Sequence, residues 1–184
     1  MLARTTAWEE PDAGLYVGLG QRMLATDQGE YTTNTLAFVG DDGVLLVDTQ
    51  AVADAEPLKK AVEAFGKGTP KYIVNTHRHV EHIGGNAIFG ESPVVIAHER
   101  LPEKLRSGSA IFDEFPRATY PDITFSDRLT LQFNGERIEM HAFAGSHDDN
   151  EIIVLIEKID GDRLRSEFGN DRRNWNQFDR LRST

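Results

Sequence analysis

His77, His79, Glu81 and His82 fall within six residues, and Gly84 and Gly85 follow directly. Imidazole nitrogens and a carboxylate oxygen are the donors zinc takes where thiolates are missing, and the chain has no cysteine. Two histidines spaced i, i+2 in a loop can both face one ion. Catalytic zinc commonly holds three protein ligands and a water, so a third donor is required. His147, in the polar stretch 144–150, is the candidate. A three-histidine site of this kind keeps an open position, and water bound there has a pKa of about 7, which makes hydroxide available at neutral pH. Glu81 has three open roles: orienting that water, shuttling its proton, or holding a second ion together with His82. A solvated polar loop would carry the same letters, so the surrounding elements have to decide.

Other groups compete less well. His98 and His141 read as structural or surface histidines. Ser146 beside His147 suggests a nucleophile and its base, but adjacent residues rarely make the hydrogen bond that pair needs. The Gly84–Gly85 pair lacks the lysine of a phosphate-binding loop and the spacing of a dinucleotide fingerprint. It reads better as entry into a helix after the ligand loop.

The elements that must hold these residues are legible from pattern. Residues 15–19 and 22–26 read as short strands around Gly20-Gln21. Residues 35–39 and 44–47 are apolar runs joined by Gly40-Asp41-Asp42-Gly43, a hairpin signal. The second run ends on Asp48, whose carboxylate needs a partner at the end of a buried strand. Leu58, Ala61, Val62 and Phe65 form a helical stripe, which predicts a helix over 56–65 with Asp54 as cap, Pro57 in the first turn and Gly66 as stop. Residues 71–75 read as a buried strand leading into the histidines, 86–89 as a short helix, 93–97 as a strand and 99–106 as a helix with Pro102 in its first turn. Residues 107–121 read as a loop. Residues 129–133 and 137–141 form a hairpin across Asn134-Gly135, and 151–156 is a further strand. Strands alternating with helices, flanked by hairpins, predict a layered α/β arrangement with mixed sheets.

Bulk properties narrow the function. The 184 residues suit one domain, or one domain with a tail. A formal net charge of −10 disfavours nucleic-acid and anionic-membrane partners, which need a basic face. Residues 1–10 lack the apolar core of a signal peptide, and no stretch approaches the ~20 apolar residues of a membrane span. A cytoplasmic location is therefore the expectation. Residues 160–184 differ in character, with six arginines and neither lysine nor histidine. Leu164, Phe168, Trp175, Phe178 and Leu181 suggest a docked amphipathic helix, although Gly169-Asn170 interrupts the face.

At Thr76-His77-x-His79-x-Glu81-His82-x-Gly84-Gly85-Asn86 the sequence resembles the metallo-β-lactamase superfamily, whose signature is His-x-His-x-Asp-His after a strand. The resemblance covers most of residues 15–159. It implies an αββα sandwich with the site at one edge of the paired sheets, and hydrolysis of lactams, esters, thioesters or phosphodiesters. It implies His77, His79 and His147 as ligands of a first zinc, Asp48 as the family's buried structural aspartate, and His82 at a second site. Three departures stand out. Glu81 occupies the aspartate position. The bridging aspartate has only Asp162 as a candidate, in Gly161-Asp162, close behind the 151–156 strand. No histidine follows His147 to serve as the last ligand.

The second half of the sandwich is thus expected to be incomplete, with a shortened domain over 1–159 and an arginine-rich tail over 160–184. The expected function is a zinc-dependent hydrolase acting on a small molecule, with one zinc rather than two. The alternative is a metal-poor, non-catalytic remnant. An unfinished sheet exposes an edge, which predicts a homo-oligomer.

Overall fold

The computed structural model describes residues 7–12, 14–19, 25–26, 29–30, 33–107, 114–143 and 148–156. Its largest unit is a seven-stranded sheet. The chain enters through β1 (Ala7–Asp12) and β2 (Leu15–Leu19), pairs β3 (Ala25–Thr26) with β4 (Gly29–Glu30), and returns through β5 (Thr35–Gly40) and β6 (Gly43–Val47). Helix α1 (Val52–Glu63) crosses to β7 (Tyr72–Val74). Helix α2 (Val80–Ile83) and a 3-10 turn at Asn86–Phe89 cross to β8 (Val94–His98). Helix α3 (Leu101–Arg106) and a 3-10 turn at Arg117–Thr119 lead to β9 (Ile123–Phe125). Strand order is β1-β2-β5-β6-β7-β8-β9. The first four strands pair antiparallel and β6 to β9 pair parallel, so the sheet is mixed. A second sheet holds β10 (Arg128–Phe133), β11 (Glu136–Phe143) and β12 (Glu151–Ile156), all antiparallel.

The two sheets pack face to face. Phe38, Leu45, Val74 and Ile96 from the large sheet meet Phe133, Ile138, Met140, Ile152 and Ile156 from the small one. The opposite face of the large sheet buries Ala37, Leu46 and Ile73 against Leu58 and Val62 of α1. A third cluster seats Leu101 and Leu105 of α3 on Ile83 and Ala97, with Phe115 of the following loop. The described residues therefore form a helix layer, a large sheet and a small sheet. No helix among them is long and apolar enough to cross a membrane.

The two hairpin turns meet at one end of the sandwich. Asn134 and Gly135 both have positive φ, 53° and 79°, the pair a type I′ turn requires. The Asn134 N–H donates to Asp42 Oδ2 at 2.6 Å and the Asp42 N–H donates back to Asn134 Oδ1 at 2.8 Å. The turns that close each hairpin thus also lock the sheets to each other.

Some expectations need correction. Helix α1 begins at Val52, four residues before the predicted start. Ala51 is its N-cap, no side chain caps it, and Asp54 lies buried in the first turn rather than capping. Pro57 consequently sits inside the helix, where it removes one backbone donor. The reason is burial: Ala51 and Ala55 extend the stripe of Leu58 and Val62 one turn further back. Strands β1 and β9 carry no pattern that predicts them. Residues 20–24, 108–113 and 157–184 lie outside the described residues, and with them the Gly20-Gln21 turn, most of the 22–26 strand and the tail.

Candidate metal centre

In the parallel half of the sheet, the chain leaves β6, β7 and β8 at the same end. That carboxyl end is where open α/β sheets place their ligands. The exit from β6 is Asp48, the exit from β7 carries residues 75–79, and the exit from β8 is His98–Arg100. Strand β12 begins beside them, because the Ile152 N–H donates to Thr76 O at 2.9 Å.

Asp48 organises the centre. It is 4% exposed and has a positive φ of 60°. Its Oδ1 accepts the Thr76 N–H at 2.8 Å, and its Oδ2 accepts the Thr76 hydroxyl at 2.7 Å and His82 Nδ1 at 2.6 Å. An ionised carboxylate only accepts, so His82 donates from Nδ1, and Nε2 is the nitrogen it can offer to a metal. Thr76 makes the same assignment for His77. Its single hydroxyl proton goes to Asp48, so its oxygen accepts from His77 Nδ1 at 3.1 Å and His77 presents Nε2. Burial, the largest single influence, pulls the His82 pKa down, but the charge of Asp48 and its hydrogen bond oppose it. Glu81 and Glu151 add to them, and the net direction is up.

The three rings of the cluster are packed together. The His77 centroid lies 4.7 Å from that of His79 and 4.1 Å from that of His82. Glu81 stands in the first turn of α2 with Oε1 3.6 Å from His79 Nδ1. The structure thus brings His77, His79, Glu81 and His82 together. His147, Ser146 and Asp162 lie outside the described residues. Among the described residues no group of three or more histidines and carboxylates is disposed to hold a metal ion. The donor chemistry fits zinc: imidazoles, one of them, His82, oriented through its Nδ1 by a carboxylate, as ligating histidines characteristically are.

Behind the rings lies a buried amide network that pattern reasoning missed. Asn86 Nδ2 donates to Asn75 Oδ1 at 2.8 Å, and Asn86 Oδ1 accepts from Asn75 Nδ2 at 3.2 Å and from Thr49 Oγ1 at 2.7 Å. Asn75, Asn86 and Thr49 are fully buried. The available signal was a pair of asparagines flanking the histidines, both in apolar surroundings, where an amide must find a partner. A second feature without local signal is a set of ion pairs. Arg78 Nε donates to Asp148 Oδ2 at 2.6 Å, and Asp149 meets Arg100 at 3.3 Å and Lys104 at 3.1 Å.

His141 stands on β11 of the small sheet. It pairs with Glu139 at 3.0 Å on the small sheet, and the His141 hydrogen bond holds the Glu139 carboxyl below its usual range. His98 is buried, and its Nδ1 accepts the Arg100 N–H at 3.1 Å. Burial lowers its pKa. The folded state therefore prefers neutral His98. The stability this contributes is fully present above the unfolded value of about 6.5 and is lost as pH falls below it. His98 by itself should therefore lower the urea midpoint between neutral and mildly acidic pH, so His98→Gln should lose less midpoint, or gain more, over that range than the parent. An identical pH dependence in the variant would remove His98 from the account.

The sequence model described as the metallo-beta-lactamase superfamily matches residues 29–154, well over half the chain and all of the centre. The chain belongs to the metallo-beta-lactamase superfamily. Residues 1–39 also match the model described as ImpE protein, a much smaller part of the chain. No curated protein sequence matches significantly. Solved structures agree on the superfamily fold. A metallo-beta-lactamase from Pontibacter korlensis superposes with a TM-score of 0.69 at 18% identity, covering 83% of this chain and 67% of that one. One from Cronobacter sakazakii with a HARLDQ motif gives 0.61 at 20%, covering 78% and 57%. A mutant flavo di-iron protein from Thermotoga maritima gives 0.65 at 12%, covering 83% and 40%. The chain thus spans about 40% to two thirds of the length of these superfamily structures.

Proposed function

We propose that this protein is a zinc-dependent hydrolase-like protein in which His77, His79 and His147 hold one metal ion. The observation that carries this reading is the packing of the His77, His79 and His82 rings, with the buried carboxylate of Asp48 bonded to His82 Nδ1 and the Thr76 hydroxyl to His77 Nδ1, so that Nε2 of each of those two rings is the nitrogen a metal would take. Superfamily membership supports metal-dependent hydrolysis in outline. Zinc held there would supply a water acidic enough to act as nucleophile at neutral pH, with a pKa of about 7. The chain's own residues do the rest. Asp48 fixes the His82 tautomer, Thr76 fixes that of His77, and Glu81 stands within reach of His79 to hold or pass a proton. The substrate class is a lactam, ester, thioester or phosphodiester.

A second reading is favoured by one observation: both ring nitrogens of His79 face carboxylates. Glu81 Oε1 lies 3.6 Å from its Nδ1 and Asp148 Oδ2 lies 3.9 Å from its Nε2. In that reading His79 serves ion pairing, and the chain keeps the fold without the metal chemistry. Elemental analysis of protein purified without chelator separates the two. About one zinc per chain is expected, falling by a factor of about ten or more in His77→Ala and His147→Ala, since loss of one of three ligands leaves too few to hold the ion. A wild-type chain that carries no zinc and gains none on titration would establish the second reading.

A further inference from the structure

Asn75 and Asn86 stand at the two ends of the segment that carries the histidines, eleven positions apart, and their side-chain amides face each other. Asn86 Nδ2 donates to Asn75 Oδ1 at 2.8 Å, and Asn75 Nδ2 donates to Asn86 Oδ1 at 3.2 Å. Thr49, at the exit of β6, lies against both Asn86 and His82. Its hydroxyl is 2.7 Å from Asn86 Oδ1 and 3.2 Å from His82 O. A hydroxyl has one proton to give. His82 O already accepts the Thr49 N–H at 2.7 Å, so the proton goes to the nearer Asn86 Oδ1. That oxygen then accepts two bonds, one from each neighbour. All three residues are fully buried.

Stability alone does not call for this arrangement. Replacing two paired buried polar groups by apolar groups of the same shape is nearly neutral. What buried amides add is direction: a satisfied polar network specifies one arrangement. Here it specifies the closure of a loop. Asn75 is anchored in the large sheet, because its N–H donates to Ile96 O at 2.9 Å. Asn86 opens the 3-10 turn just after Gly85, whose N–H donates to Gln50 O at 2.9 Å. Segment 76–85 must therefore leave β7 and double back to the same place. That path brings the His82 ring centroid to 4.1 Å from that of His77.

We propose that the Asn75–Asn86 amide pair, completed by Thr49, is a latch that closes this loop and holds His77, His79, Glu81 and His82 as one cluster. Asn75, Asn86 and Thr49 are positioning residues that act through the loop backbone. The consequence for zinc rests on the reading above, whereas the closure itself does not.

The test compares the full chain with Asn75→Ala, Asn86→Ala and a control, Ile138→Ala. Ile138 is packed between the sheets and pairs with Ile156, at the end of β12 far from Thr76. In the metal-free proteins, amide exchange at Thr49, Ile83 and Gly85 should quicken by about tenfold or more relative to Leu46 and Ile73 in both asparagine variants, since each leaves a buried amide without its partner. Cross-relaxation between the His77 and His82 ring protons should weaken with it. Ile138→Ala should lower the urea midpoint yet keep the exchange ratio and the ring contact, which separates positioning from general loss of stability. Zinc affinity, titrated against a competing chelator, should fall by about 10–100-fold in the asparagine variants, the range seen when groups supporting a ligand are removed, and stay parental in Ile138→Ala. An unchanged exchange ratio in Asn86→Ala overturns the latch, whatever zinc does, and so does an equal change in Ile138→Ala. A loosened loop with parental zinc affinity overturns the positioning role. A parent that binds no zinc overturns the zinc reading instead, and exchange then judges the latch alone. Should Asn86→Ala fail to fold, Thr49→Val, which exchanges only the hydroxyl for a methyl, carries the same comparison.

Discussion

Asp48→Ala is expected to destabilise the protein by about 3–5 kcal/mol, the cost of removing one partner from a buried charged network. Three donors converge on this carboxylate: the Thr76 N–H, the Thr76 hydroxyl and His82 Nδ1. Each buried donor left without an acceptor costs about 1–3 kcal/mol. The hydroxyl can rotate to a new partner, but the backbone N–H cannot. Alanine is also poorly suited to φ of 60°, a left-handed conformation that costs an ordinary residue about 1–2 kcal/mol and that Asp and Asn tolerate better. Asp48→Asn should therefore lose much less. Its amide oxygen can keep the Thr76 N–H, while its NH2 would face His82 and reverse the preferred tautomer. Urea unfolding measures the stability difference, and the ring nitrogen resonances of His82 report the tautomer. An alanine variant within about 1 kcal/mol of the parent would mean that Asp48 is not the hub that its hydrogen bonds indicate.

How far the sequence could lead to this centre depended on whether a contact leaves a local mark. The hairpins were legible because Asp41-Asp42-Gly43 and Asn134-Gly135 carry turn chemistry where Gly43, Asn134 and Gly135 take positive φ. His77, His79, Glu81 and His82 were legible because four donors in six residues is a rare density. Asp48 was legible as a carboxylate that needed a partner, and its partners were not, because Thr76 and His82 lie 28 and 34 residues away. The Arg78–Asp148 pair spans 70 residues with no periodicity to betray it. Strand β9 was missed for a different reason: it is three residues long and exposes Ile123, so it lacks the alternation that marks a half-buried strand. The start of α1 was misplaced because Val52 is exposed and falls off the apolar stripe, while Pro57 reads as a first-turn residue whatever precedes it. Local chemistry therefore pointed to the candidate donors, and the tertiary fold alone revealed what orients them.

Gly85→Ala should cost about 3 kcal/mol or more, at or beyond the top of the usual range for one surplus methyl in a core. The φ of Gly85 is −82°, an ordinary helical value, so alanine pays no backbone penalty there. The whole cost is space. A Cβ on Gly85 would lie 2.1 Å from the carbonyl oxygen of Thr49 and 3.2 Å from the Ala55 side chain. The obstacle is backbone, which cannot swing aside as a side chain can. Moving it would break the Gly85 N–H to Gln50 O bond at 2.9 Å and the Thr49 N–H to His82 O bond at 2.7 Å. Those two bonds fasten the histidine-bearing segment to the exit of β6. The pair of glycines after the histidines thus serves close packing between two loops. Gly66→Ala is the control: nothing lies within 4 Å of its added Cβ, and only its φ of 71° is unfavourable, so about 1–2 kcal/mol is expected. Paired urea melts of the two variants check the ordering. If Gly85→Ala proves the milder, the close approach of Thr49 to Gly85 is not what holds the ligand loop in place. If the order holds, zinc affinity should fall in Gly85→Ala and stay at the parental level in Gly66→Ala, because only the former displaces the backbone that carries His82.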